Sequence, residues 1–353
     1  MAMEIAETIN ANSNPCTSSP ELIYTLKSHT KSLTAVCFSP NGQMLATASA
    51  DSTISLFSFN TGSLLHKFTS HTGGINSICF SSDSAYLASC SDDKSIHIHS
   101  VITLQLVRNF SEHTSYVVCL AYNPSSTLLV SGSFDETVRL WNLCRNRCHR
   151  TISAHSEAVT GVDFNKDGTM IVSSSYDGSI RLWDTCTGAC LKTLVHKDQS
   201  AVGGVSFTPS SEQLLCSALD GSVRLWDVYN SKIVKTYVGH LNSKIPMTAR
   251  LVTKPATRTS LNLPISKSSR STVENGGSGG EKDKWGAVMI GSEDGKVVMW
   301  DVQTRQILKT WQAHSGAIIA TATHPNFNIV VTATIEPENS VKIWLFHPPS
   351  SCS

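Results

Sequence analysis

The sequence predicts an all-β chain folded as a seven-bladed β-propeller, with an N-terminal strand closing the last blade. Three observations lead there. A pattern recurs every 42 residues, each repeat contains four short strand-like runs, and the first and last repeats are incomplete in complementary ways.

The period is carried in three registers at once. His29, His71, His113 and His155 follow one another at 42 residues, and Asp51, Asp93, Asp135 and Asp177 each lie 22 residues beyond their histidine. Six residues past each aspartate stands an aromatic or its substitute: Phe57, His99, Trp141 and Trp183. Three further units keep that step as Asp220–Trp226, Asp294–Trp300 and Glu338–Trp344, with His196 (shifted), His240 and His314 as their histidines. The count is seven.

The third copy shows one repeat in full. YVVCLAYN, LLVSGS and TVRLWNL have strand composition and are separated by PSS and FDE turns, and RCHRTIS supplies a fourth strand. Near-continuous apolar character within a strand predicts that both sheet faces are covered, as when blades stack on one another. His113, Ser131, Asp135 and Trp141 are expected to form a buried hydrogen-bond chain, repeated by His155, Ser173, Asp177 and Trp183. Ser, His and Asp together also suggest a hydrolase triad, but recurrence in blade after blade beside a tryptophan favours bracing. Blades 1 and 2 lack the tryptophan, so their networks are expected to be weaker.

Closure comes next. ELIYTLKSH, residues 21–29, has the phase of a fourth strand but no strands before it, whereas the last copy stops at VKIWLF without a fourth strand. Leu22–Leu26 is therefore expected to complete blade seven, hiding two sheet edges. The propeller is placed at residues 21–347, between a disordered tail at 1–20 and a C-terminal tail at 348–353. One interval is long: His240 to His314 is 74 residues. The excess, rich in Pro, Ser, Thr and Gly, is a flexible insert at 253–284 between the first two strands of blade six, a solvated tether or a docking segment.

Composition limits the chemistry. With 28 basic and 27 acidic residues, the chain lacks the basic excess expected of a nucleic-acid binder. No apolar run approaches the ~20 residues of a membrane helix, and the N-terminal residues do not read as a secretory signal, so a reducing compartment is expected. The eleven cysteines then read as thiols. Cys144/Cys148 and Cys186/Cys190 invite a zinc site, but their shared phase puts the pairs on different blades. GGSGG lacks the GK[ST] of a phosphate loop. No catalytic residue, metal or cofactor is expected.

FSPNGQMLATASAD, FSSDSAYLASCSDDKSI, LLVSGSFDETVRLW, FNKDGTMIVSSSYDGSIRLWDT, IGSEDGKVVMWDVQTRQI and THPNFNI are similar, in that order, to successive blades of one WD-repeat family. It is the WD-repeat core subunit of COMPASS/MLL-type histone H3 lysine-4 methyltransferases. The resemblance implies a nuclear, non-catalytic scaffold bridging a SET-domain methyltransferase and the other core subunits, with the histone H3 tail as a further ligand. It implies a channel mouth that takes an arginine, with Ala50, Asp92, Tyr116, Phe134 and Tyr176 at mouth positions and Asp92 accepting from the peptide. The two phenylalanines that sandwich the guanidinium are replaced by Val118 and Thr248, and Ser32, Thr34 and Asn76 replace smaller or different neighbours. Losing both rings removes cation–π attraction of ~0.5–2 kcal/mol per contact, so arginine recognition is expected to be weak or altered. On the opposite face Leu225 and Lys235 match a second partner site, whereas Ser210, Gln213 and Val234 depart from it. The rival readings are a cytoplasmic WD-repeat scaffold and a ubiquitin-ligase substrate receptor. The latter is disfavoured because WNLC, WDTC, WDVY and WDVQ lack the arginine of a W-D-x-R fork.

Overall fold

The computed structural model describes residues 4–5, 20–253 and 286–346. These form seven antiparallel sheets, six of four strands and one of five. Blade 3 is representative, with strands a to d at Val117–Tyr122, Leu128–Ser133, Thr137–Asn142 and Arg147–Ser153. Strand a of the other blades is Leu33–Phe38, Ile75–Phe80, Val159–Phe164, Val202–Phe207, Arg250–Thr253 and Ile318–Thr323, for blades 1, 2, 4, 5, 6 and 7.

Strand d of blade 7 is Glu21–Leu26, antiparallel to Val341–Leu345 with Leu22 opposite Trp344 and Leu26 opposite Val341. The ring is therefore closed by the N-terminal strand. Glu4–Ile5 adds a two-residue fifth strand outside it, opposite Thr25 and Tyr24. Most of the tail expected at 1–20, nearly all of the insert expected at 253–284 and the tail at 348–353 lie outside the described residues.

Stacking explains the apolar runs. Strand b of blade 3 is buried from Leu129 to Ser133, whereas strand d alternates and exposes its outer positions. Cores form between blades: Val130, Val138 and Leu140 of blade 3 pack with Val159, Phe164, Ile171 and Trp183 of blade 4. Approach there is close enough to require glycine at 132, where a Cβ would lie 2.5 Å from Val159 and 2.8 Å from the Cys119 sulfur.

Two further features position the sites. Strand a of every blade except the sixth has a register shift after its first residue, leaving Thr34, Asn76, Val118, Thr160, Gly203 and Ile319 unpaired with strand b. Cations on the outer strands also staple neighbouring blades. Arg150 Nη2 donates to the Cys186 carbonyl (3.0 Å), Lys192 Nζ to that of Val228 (2.8 Å), and Lys235 Nζ to those of Val302 (2.6 Å) and Gln303 (3.0 Å). At the seam, His324 Nε2 lies 3.0 Å from the Gly42 carbonyl, its ring set against Phe38, Phe59 and Phe327.

Candidate functional site: the rim of the channel mouth

The rim is built by one backbone bond in each blade. The amide of the residue after strand b donates to a carbonyl at the entry of strand a: Ala50 to Ser32, Asp92 to Gly74, Phe134 to Tyr116, Tyr176 to Ala158. Leu219 to Ala201 and Ile335 to Ala317 continue the circle, and in blade 6 Glu293, two residues past strand b, donates to Leu241, well ahead of strand a; all seven lie between 2.9 and 3.3 Å. The five residues that the resemblance places at the mouth, Ala50, Asp92, Tyr116, Phe134 and Tyr176, therefore share one tier on blades 1 to 4. Leu219, Leu241, Glu293 and Ile335 complete it on blades 5 to 7, and sequence reasoning missed them.

Chemically the rim is uneven. On blade 3, Tyr116 and Phe134 stand edge to face with centroids 6.1 Å apart, and each is about half exposed, at 49% and 47%. Tyr176 continues the aromatic side on blade 4, partly buried. Asp92 is exposed, and its Oδ1 accepts from Asn76 Nδ2 at 2.8 Å. No protein donor within the described residues holds Oδ2, and Gly74 keeps the space beside it open, since a Cβ there would come within 3.2 Å. Glu293 carries the other rim carboxylate, but its Oε1 accepts the amides of Ser243 (2.8 Å), Lys244 (2.6 Å) and Ile245 (3.1 Å). Burial pushes its pKa up, those amide bonds pull it down, and the net shift is downward. Asp92 is thus the rim carboxylate left for a ligand. Below it Val118 and Thr248, on blades 3 and 6, offer no ring.

The bracing residues sit in register beneath the rim. In blade 3, Trp141 Nε1 donates to Ser131 Oγ (2.8 Å), Ser131 Oγ lies 2.8 Å from His113 Nε2, and His113 Nδ1 lies 2.8 Å from Asp135 Oδ2. Blade 4 repeats the chain through Trp183, Ser173, His155 and Asp177 at 2.9, 2.7 and 3.0 Å. Burial lowers the His155 pKa against the raising effect of Asp177, so the ring is neutral. The chain therefore runs one way, with Nδ1–H donating to Asp177 and Nε2 accepting from Ser173. No nucleophile is freed by this arrangement.

Blades 1 and 2 lack the indole link, as their sequence implies, since Phe57 has no donor and His99 bonds Ser70 instead, and blades 5 and 6 depart further. Blades 1 and 2 keep histidine, acid and hydroxyl: His29 with Asp51 and Thr47, His71 with Asp93 and Ser89. The larger losses are in blades 5 and 6. Cys216 stands at the serine position of blade 5, so Trp226 Nε1 faces only a weakly accepting thiol in place of a hydroxyl. In blade 6 Ile290 stands there, and both ring nitrogens of His240 are unpartnered.

On the second face both matched residues are engaged within the ring itself. Leu225 is 2% exposed and packs with Val223, Tyr237 and Trp300, because both faces of strand c are covered by stacked blades. Its side chain is core. The Lys235 ammonium is already engaged by the blade 6 carbonyls described above. Each cysteine pair has one member in the turn between strands c and d and one at the start of strand d, on blades 3 and 4, and among the described residues no group of three or more His, Cys, Asp or Glu could hold a metal ion.

One comparison with known proteins bears on this geometry. The family model described as the WDR5 beta-propeller domain matches residues 25–345, nearly the whole described ring.

Proposed function

Since the chain belongs to the WDR5 beta-propeller family, a family of protein-interaction scaffolds, we propose that it is a non-catalytic core scaffold of a nuclear COMPASS-type histone H3 lysine-4 methyltransferase complex. In that role it bridges the SET-domain subunit and the other core subunits and seats a partner or histone-tail peptide on the rim. The observation that carries the reading is the half-open Asp92 beside the exposed Tyr116–Phe134 pair: an acceptor next to an aromatic wall, open to solvent. A cationic or N–H-rich segment satisfies both, since carboxylate and ring faces attract the same partner. Because Val118 and Thr248 supply no sandwich, an inserted arginine is held by Asp92 and the rim aromatics alone, with correspondingly low affinity.

Affinity purification of the full chain from nuclei, followed by mass spectrometry, tests the assembly. Recovery of a SET-domain methyltransferase with its companion subunits is expected. Recovery of ligase adaptors or coat proteins alone would refute the reading. For the rim, an arginine-containing H3 peptide is titrated against wild type and Asp92→Ala, with an expected loss of about tenfold, the worth of one charge-assisted bond of ~1.5 kcal/mol. Unchanged affinity would remove Asp92 from the site.

A further inference from the structure

Half-way down the channel the sheet register defines a second tier, one residue from each blade. Arg250 pairs with Met289, which pairs with Met299, the residue before Trp300. Asp163 pairs with Val172, which pairs with Leu182, the residue before Trp183, and Cys37 pairs with Ala46, which pairs with Leu56, the residue before Phe57. The same rule places Cys79, Ala121, Ser206 and Ala322 in the tier. Arg250 and Asp163 are its only charged members.

Arg250 faces the lumen and is not tied down. Strands a of successive blades pack on one another around the axis, so the tier lines the channel, and the Arg250 charge acts on Cys37 of blade 1 and Asp163 of blade 4, two blades away on either side. Its side chain is exposed, and among the described residues it has neither a hydrogen bond nor an ion pair. Asp163 is not its counter-ion. The two oxygens of Asp163 accept the amides of Phe164 and Phe207, both at 2.9 Å, which turns the carboxylate toward the wall. A free guanidinium inside a low-dielectric wall focuses its field on whatever enters.

We propose that this tier is a carboxylate-binding site built on Arg250. The carboxylate is carried either by a small molecule or by an acidic side chain of a partner peptide. The planar fork of the guanidinium matches a carboxylate with two parallel bonds. A singly charged group suits the tier better than a phosphate dianion, because Asp163 stands opposite. The proposal is independent of the rim reading, which concerns a cationic ligand at the mouth.

The test is calorimetric titration of the full chain with two probes: acetate, and a capped peptide with one glutamate compared with its glutamine twin. Saturable binding of at least one carboxylate probe is expected, with the glutamine peptide silent. Arg250→Gln should lose tenfold or more and Arg250→Lys should keep part of the binding, since charge survives but the fork does not. Arg145→Gln, an exposed turn residue, should change nothing. Acetate binding alone would identify a small-molecule site, and peptide binding alone a peptide site. Absence of saturable binding by either probe would overturn the proposal, as would equal affinity in Arg250→Gln or an equal loss in Arg145→Gln.

Discussion

At the scale of single residues, stability turns on whether each blade completes its hydrogen-bond chain. Ser131→Ala strands both Trp141 Nε1 and His113 Nε2 in a buried site, and a loss of roughly 1–3 kcal/mol is expected in urea unfolding. Cys216→Ser runs the other way. It offers Trp226 a proper acceptor, and a gain of about 0.5–1.5 kcal/mol should appear in the same measurement. Blade 2 makes the molecule acid-sensitive. Burial, then the neighbouring His71, lowers the His97 pKa from 6.5 to about 4, and burial, then His97, lowers that of His99 to about 3. The fold holds both rings neutral while the unfolded chain protonates near 6.5. Their contribution is complete above that pH and is lost as pH falls through about 4. His99→Trp should reduce the loss of stability between pH 6.5 and 4 without abolishing it, since His97 still titrates, read by circular dichroism. The bracing residues were legible in the sequence because their spacing never varies across blades 1 to 4. Glu293 and Arg250 were not, because the long blade 6 interval breaks the count on which tier positions depend. The burial of Leu225 was not legible either: resemblance gives residue type, whereas accessibility depends on the neighbouring blade.

At the scale of elements, outer strands do more than finish each sheet. Arg150, Lys192 and Lys235 occupy the same phase of strand d in blades 3, 4 and 5, and each ties its blade to the next through carbonyl oxygens. Lys235→Met keeps the apolar stem and removes the tie. A cost of about 1–2 kcal/mol is expected, at the lower end of charged hydrogen bonds because the site is partly solvated. The recurrence of a cation at that phase is visible in the sequence, but its target is not, since the accepting carbonyls belong to a different repeat. Strands themselves were readable from their composition and turns. The register shift near the start of strand a was not, because it follows from how the inner strands crowd the axis rather than from any residue type.

At the scale of the whole molecule, closure decides everything else. Removing residues 21–26 takes the outer strand from blade 7 and bares the edge of Val341–Leu345. The truncated chain should lose its single cooperative transition and run as aggregates in size-exclusion chromatography; a monodisperse, fully cooperative truncation would contradict the role given to that strand. The seven-fold count was available from histidine, acid and tryptophan alone, and the mismatched ends foretold which strand joins which. That pairing also has a consequence for biosynthesis. The two partners are separated by more than three hundred residues, so the first-made strand must wait, unmated, while every intervening sheet emerges from the ribosome. Native assembly therefore waits for the last blade to emerge, and a chain stalled before that point exposes a sticky flank that calls for a chaperone.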